Sequence, residues 1–241
     1  MCALLCTVMC AFAQDGSRIE KLLTEADGLI EMNKLDQALG KTQEALKINP
    51  SDLAALQKRI DIYYLMNDDK EALNFTEMAI RQYPEDAELY YLRGIINNTR
   101  EKYAKALSDF NEALEWANDS IAYKIYLGRG ISQMNLMEYE QAMADFSKSI
   151  ALNDTVASAY HSRALLNYEI KDYHAAIDDF QRALDHSEGT PVLYFNMGMA
   201  YYRLDDLTNA CPYFHRACTM GNTNACRMAL MECAKEIPNI P

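Results

Sequence analysis

Residues 87–120 read AELYYLRGIINNTREKYAKALSDFNEALEWANDS, and most of the chain is a variation on this run. Its landmarks are Tyr90, Arg93-Gly94, Tyr103, Ala106, Asp109-Phe110 and Ala113-Leu114. A fixed period decides the architecture before any local propensity does. Ala106 recurs as Ala38, Ala72, Ala142, Ala176 and Ala210, and successive alanines are 34, 34, 36, 34 and 34 residues apart. Ala113 recurs as Ala45, Ala79, Ser149, Ala183 and Ala217. Tyr90 recurs as Tyr126, Tyr160 and Tyr194, with Leu22 and Leu56 in the first two copies. Six copies follow, at residues 19–52, 53–86, 87–120, 123–156, 157–190 and 191–224.

Within the copy at 87–120, Tyr90, Arg93, Gly94 and Asn97 share one helical stripe at spacings of three and four. Ala106, Phe110, Ala113 and Leu114 make a second stripe, and the polar run Asn98 to Lys102 separates the two. Each copy therefore reads as two short antiparallel helices. Gly94 and Ala106 are small enough to let the backbones approach, and Phe110 fills the space beside them. One such hairpin cannot bury both of its faces, so neighbours must stack.

These residues resemble the tetratricopeptide repeat family over 19–224. Pro50 and Pro84 match the family's helix-ending proline, whereas Asn118, Asp154, Glu188 and Asn222 stand there in later copies. The resemblance implies an all-α fold, a right-handed α-solenoid of six helix hairpins. Residues 225–241 are expected to form a capping helix, Ala225 to Ile237, and a tail. Ser51 and Asp52 are candidate caps for the second hairpin. The two extra residues near Asp119-Ser120 are expected in a loop between repeats, where length is tolerated.

Half of the 241 residues are hydrophobic, and 9 Gly and 6 Pro are too few for a disordered chain. The net charge of −12 argues against a nucleic-acid partner. Residues 1–13, MCALLCTVMCAFA, carry no charge and are too few to span a bilayer. Ala11-Phe12-Ala13 has the form of a signal-peptidase site. A signal peptide cleaved after Ala13, a linker at 14–18 and a secreted or periplasmic mature chain without an integral membrane segment are expected. The competing reading is an apolar N-terminus on a cytosolic protein.

Arg93, Arg129 and Arg163 each have an aspartate 16 residues on, at Asp109, Asp145 and Asp179. The first copy reverses the signs with Glu25 and Lys41, and the sixth is uncharged with Met197 and Tyr213. The second breaks the pairing, setting Arg59 against Phe75. These positions face each other across one hairpin and read as ion pairs, since a half-buried charge survives when paired. A ligand-binding role for the arginines is the competing reading.

The chain has no phosphate-binding glycine loop, no G-x-S-x-G and no H-E-x-x-H. Neither an enzyme nor a cofactor is expected. Cys211, His215 and Cys218 with Cys226 and Cys233 invite a zinc reading, but C-x3-H-x2-C is not a usual structural zinc spacing. Without residues 1–13 the chain keeps four cysteines, an even number. Cys211 and Cys233 are equidistant from the turn at Gly221-Asn222, and so are Cys218 and Cys226. In an antiparallel hairpin such residues come opposite, so disulfides Cys211–Cys233 and Cys218–Cys226 are expected, with four buried free thiols as the alternative.

In the family, the first helix of each unit lines a concave face. That stripe here includes Tyr64, then Tyr91 and Ile95, then Leu127, Ile131 and Met134, then His161, Leu165 and Tyr168, and finally Phe195, Met199 and Tyr202. Tyr, Met and Leu of this kind are either a partner-binding surface or packing against neighbouring helices. The family's clamp for C-terminal carboxylates would need Lys, Asn and Arg here, and Lys124, Asn98, Asn135 and Arg203 do not fall in its order. The expected function is non-catalytic binding of a protein or peptide partner. A carbohydrate- or envelope-binding module, with groove aromatics stacking on sugar rings, is the alternative.

Overall fold

A computed structural model describes residues 2–233, with side chains from Gln14 onward. The described residues are helical throughout, and the chain divides into two compact units, Met1–Ile121 and Ala122–Pro241. The first holds α1 (Cys2–Glu31), α2 (Leu35–Ile48), α3 (Leu53–Leu65), α4 (Asp69–Gln82), α5 (Ala87–Thr99) and α6 (Tyr103–Trp116). The second holds α7 (Asp119–Asn135) from Ala122 onward, then α8 (Tyr139–Leu152), α9 (Ala157–Glu169), α10 (Tyr173–Asp185), α11 (Pro191–Arg203), α12 (Leu207–Thr219) and α13 (Thr223–Met231). In each unit, successive helices pair as hairpins, and neighbouring hairpins pack side by side.

The hairpin turns share one backbone device. Asn33, Asn67, Glu101, Met137, Lys171 and Asp205 all adopt the left-handed conformation, with φ between 56° and 67°. They recur with the period of the repeat. In the third hairpin, Lys102 N donates to Asn97 O and Glu101 N to Asn98 O, closing α5 with a left-handed C-terminal turn. No glycine marks these turns in the sequence. After each turn the next helix starts abruptly, and most starts are capped by a side chain. Asp52, Asp68, Asp86, Asp172, Thr190, Asp206 and Asn222 each accept an N–H from the first turn.

The hairpin cores are filled in two complementary ways. In the third, a Cβ on Gly94 would lie 2.6 Å from the Phe110 ring. Gly130 and Gly198 meet Phe146 and Phe214 in the same way, at 2.7 and 2.8 Å. These glycines let a whole aromatic ring enter between two helices. The first two hairpins put Thr42 and Thr76 where the others have Phe, with Ala26 and Ile60 where the glycine would be. All four are fully buried, so these two hairpins close without an aromatic ring between their helices.

The Arg–Asp spacing is realised as contacts across each hairpin. Arg93–Asp109, Arg129–Asp145 and Arg163–Asp179 each approach to 2.7 Å, and Lys41–Glu25 to 2.6 Å. The aspartates are buried, and Asn97 and Asn167 add a further donor to Asp109 and Asp179. In the second hairpin Arg59 has no carboxylate. Its guanidinium lies 4.7 Å from the Phe75 ring centroid and 5.4 Å from that of Tyr63. A ring quadrupole stands in for the missing anion.

The structure departs from the sequence reading at three places. Gln14–Arg18, expected as a linker, is helical and continues α1 as an exposed turn; burial begins at Ile19. Only Gly16 weakens that stretch, and one glycine does not stop a helix. The two extra residues at Asp119-Ser120 lengthen α7 to 17 residues instead of forming a loop. Asn118 Oδ1 accepts Ser120 N at 3.1 Å, and Ile121 and Ala122 are buried, so the insertion is absorbed as a helical start. The terminal helix runs Thr223–Met231, shorter than expected, and 234–241 lie outside the described residues. The side chains of the proposed leader, 1–13, also lie outside them.

Candidate functional site

The stripe picked from the sequence is neither fully packed nor fully open. Tyr64, Tyr91, Ile95, Leu127, Ile131, Met134, His161, Leu165, Tyr168, Phe195, Met199 and Tyr202 are all half-buried. The reason is local. Tyr91, His161 and Phe195 each lean on the phenylalanine of their own hairpin, at 6.2, 5.8 and 6.0 Å between ring centroids. Each ring therefore shows one face to its own core. Tyr64 packs with the core of the second hairpin, and Leu127, Ile131 and Met134 pack around Phe146.

In the second unit the stripe closes into a depression of about 200 Å³. Leu165 and Tyr168 of α9, Phe180 of α10, and Phe195, Asn196 and Met199 of α11 line it. Leu165 and Met199 hold the same place in successive repeats, so the depression is the gap between two like helices. Phe180, fully buried, is its floor. The rim is polar: Asn196 Nδ2 is 3.4 Å from His161 Nε2, and Arg203 Nε donates to the Tyr168 hydroxyl at 3.0 Å. Burial holds the His161 imidazole below its ordinary value near 6.5, so it is neutral at neutral pH. A small apolar slot with a neutral rim and one flanking guanidinium accepts an apolar side chain better than a charge.

Sequence reasoning chose Leu165, Tyr168, Phe195 and Met199 and missed Phe180 and Asn196. Phe180 was legible only as hairpin filler, and Asn196 lies one residue off the apolar stripe. Tyr202 packs instead against Phe214, 6.5 Å between centroids.

The second unit ends in a covalently closed hairpin. Cys211 is bonded to Cys233 and Cys218 to Cys226, with Cα atoms 5.6 and 4.6 Å apart. These are the pairs equidistant from the Gly221-Asn222 turn. The bonded sulfurs leave no thiolate for zinc, and His215 is exposed. Among the described residues no three His, Cys, Asp or Glu side chains gather into a metal-holding group.

Comparison with known proteins agrees with this architecture. A tetratricopeptide repeat model matches residues 163–225, and a model described as the TT21 fifth ARM repeats domain matches 22–127. A tetratricopeptide repeat protein from Parabacteroides merdae superposes with a TM-score of 0.67 at 22% identity, over 88% of this chain and 83% of that one. Residues 163–225 are thus similar to the tetratricopeptide repeat family. PilF of Pseudomonas aeruginosa has a TM-score of 0.76 at 17% identity, over 90% of this chain and 99% of its own. YrrB, a tetratricopeptide protein with an unusual peptide-binding site, has a TM-score of 0.58 at 18% identity, over 81% and 98%. At these identities the likeness is one of fold, and the fold class is an all-α solenoid. No curated protein matches the sequence. Among the described residues no helix is long and apolar enough to cross a membrane.

Proposed function

We propose that this protein is a non-catalytic peptide-binding scaffold, and that the depression between α9 and α11 receives an apolar side chain of its partner. The observation that carries this reading is the lining itself: five apolar or aromatic side chains around one amide, at the place the repeat leaves open. Half-buried Met and aromatic side chains adapt to a partner without a large change in exposed area. YrrB, which shares the fold, supports it as a peptide binder. A sugar-stacking role is less favoured, because the central ring, Phe180, is fully buried and Leu165 and Met199 occupy the walls.

The same reading places the mature chain outside the cytoplasm, after cleavage behind Ala13. The two C-terminal disulfides support it, since such bonds persist in oxidising compartments. Peptides selected from a random display library against the full chain should lose at least tenfold in affinity on Met199→Glu, which buries a carboxylate in the slot. Selected peptides that bind the folded variant as tightly as the wild type would refute the site. N-terminal sequencing of exported protein should begin at Gln14; an intact residue 1 on cytosolic protein would refute the export.

A further inference from the structure

A second concavity, in the first unit, has the opposite chemistry. It holds about 260 Å³ and is walled by Leu73 and Glu77 of α4, Arg93, Asn97 and Arg100 at the end of α5, and Lys102, Lys105, Ser108 and Asp109 at the start of α6. Four cations face two carboxylates in a chain whose net charge is −12. One carboxylate is already taken, because Arg93 and Asn97 both bond Asp109. Arg100 stands 4.0 Å from Asp69, at the limit of an ion pair. Among the described residues Lys102 and Lys105 make no ion pair.

The repeat supplies an internal control for these cations. The place of Arg100 is held by Met32, Met66, Leu136, Ile170 and Leu204 in the other hairpins. That of Lys102 is held by Asp68, Glu138, Asp172 and Asp206, and by lysine only in the first hairpin, at Lys34. That of Lys105 is held by Gln37, Glu71, Gln141, Ala175 and Asn209. The hairpin fold therefore needs none of the three. At Lys102 the fold is in fact worse served. Asp68, Asp172 and Asp206 cap their helices, whereas α6 has no side-chain cap and no acidic residue in its first turn. A lysine there also opposes the positive end of the helix dipole. Uncapped first-turn N–H groups and converging cations together favour one kind of guest.

We infer that this concavity is an oxyanion site, taking a carboxylate or phosphate group between the end of α5 and the start of α6. The size of the site admits one such group with a short stem. The group comes either from a small free anion or from an acidic side chain of a peptide. This site is independent of the apolar slot in the second unit.

The test uses the full chain, titrated calorimetrically with inorganic phosphate, with succinate and with a capped tri-glutamate peptide at two salt concentrations. The variant is Arg100→Leu/Lys102→Asp/Lys105→Gln, whose residues are those the fourth and fifth hairpins carry at these places. It restores a cap, so its melting temperature is expected to equal or exceed that of the wild type. Saturable binding of at least one probe, weakened by salt and at least tenfold weaker in the variant, supports the site. Tighter binding of tri-glutamate than of succinate or phosphate assigns the group to a peptide; the reverse order assigns it to a free anion. No saturable binding of any probe, or equal binding by the folded variant, overturns the inference.

Discussion

Asp179 and Arg163 allow the cost of a stranded charge to be measured inside one hairpin. Asp179 is only 6% exposed and accepts Arg163 Nε at 2.8 Å, Arg163 Nη2 at 2.7 Å and Asn167 Nδ2 at 3.1 Å. Arg163 also donates to Ser147 Oγ at 3.2 Å. Its side chain is 24% exposed, so water reaches the cation more readily than the carboxylate. Breaking a buried pair from one side costs about 3–5 kcal/mol. Arg163→Met leaves the carboxylate with Asn167 alone and belongs near the upper end of that range. Asp179→Leu leaves the more accessible cation and belongs near the lower end. Replacing both partners should cost under about 1 kcal/mol, because packed apolar groups can substitute for a buried pair. The sixth hairpin already does so, with Met197 and Tyr213 in these places. Urea unfolding followed by far-ultraviolet circular dichroism gives the four stabilities of the cycle. The double variant should be more stable than either single one, and these losses correspond to a coupling of about 7 kcal/mol, beyond the roughly 3 kcal/mol that contacting residues usually reach. In a chain of this size Arg163→Met should lower Tm by about 10 °C or more. Single losses that add to within about 0.5 kcal/mol would refute the reasoning.

Arg59 should behave in the opposite way. It has no carboxylate, and its buried Nε has no hydrogen-bond partner in the structure, so Arg59→Met is expected to leave Tm unchanged or raise it; a loss above about 2 kcal/mol would show that the Phe75 and Tyr63 rings outweigh the desolvation. The Cys211–Cys233 bond closes 22 residues, part of them already closed by Cys218–Cys226. Cys211→Ala/Cys233→Ala should therefore cost the oxidised chain about 3 kcal/mol, and a melting temperature indifferent to both the substitution and a reductant would count against it. His161 gives the second unit a pH dependence. Its pKa is lowered by burial, so the unfolded chain takes up the proton first. Stability from this group is full above its ordinary value near 6.5 and is lost as pH falls through that value toward the folded one. His161→Phe should flatten this part of the stability profile between pH 7 and pH 5, and a profile unchanged by the substitution would remove His161 as its source.

What the sequence by itself determined is what lies within one period. The alanines from Ala38 to Ala210 place the two helices of each hairpin. The 16-residue spacing pairs Arg93, Arg129 and Arg163 with their aspartates, because a short turn of constant length sets the two positions opposite each other. The cysteine pairs follow from the same rule, counted from Gly221-Asn222. Tertiary structure decided what depends on the neighbouring hairpin or on local backbone energies. Asp119-Ser120 became helix because Asn118 caps the extension and Ile121 and Ala122 find buried places. The left-handed residues Glu101, Met137 and Lys171 carry no turn signature, since the surrounding packing holds them there. The apolar slot needed both Leu165 and Met199, 34 residues apart, over the ring of Phe180. Periodicity names the residues of a stripe, but the gap between two stripes depends on the fit of side chains from different repeats. The cluster of Arg100, Lys102 and Lys105 was present as a departure from the repeat, and it acquired a meaning only when α4, α5 and α6 closed a cavity around it.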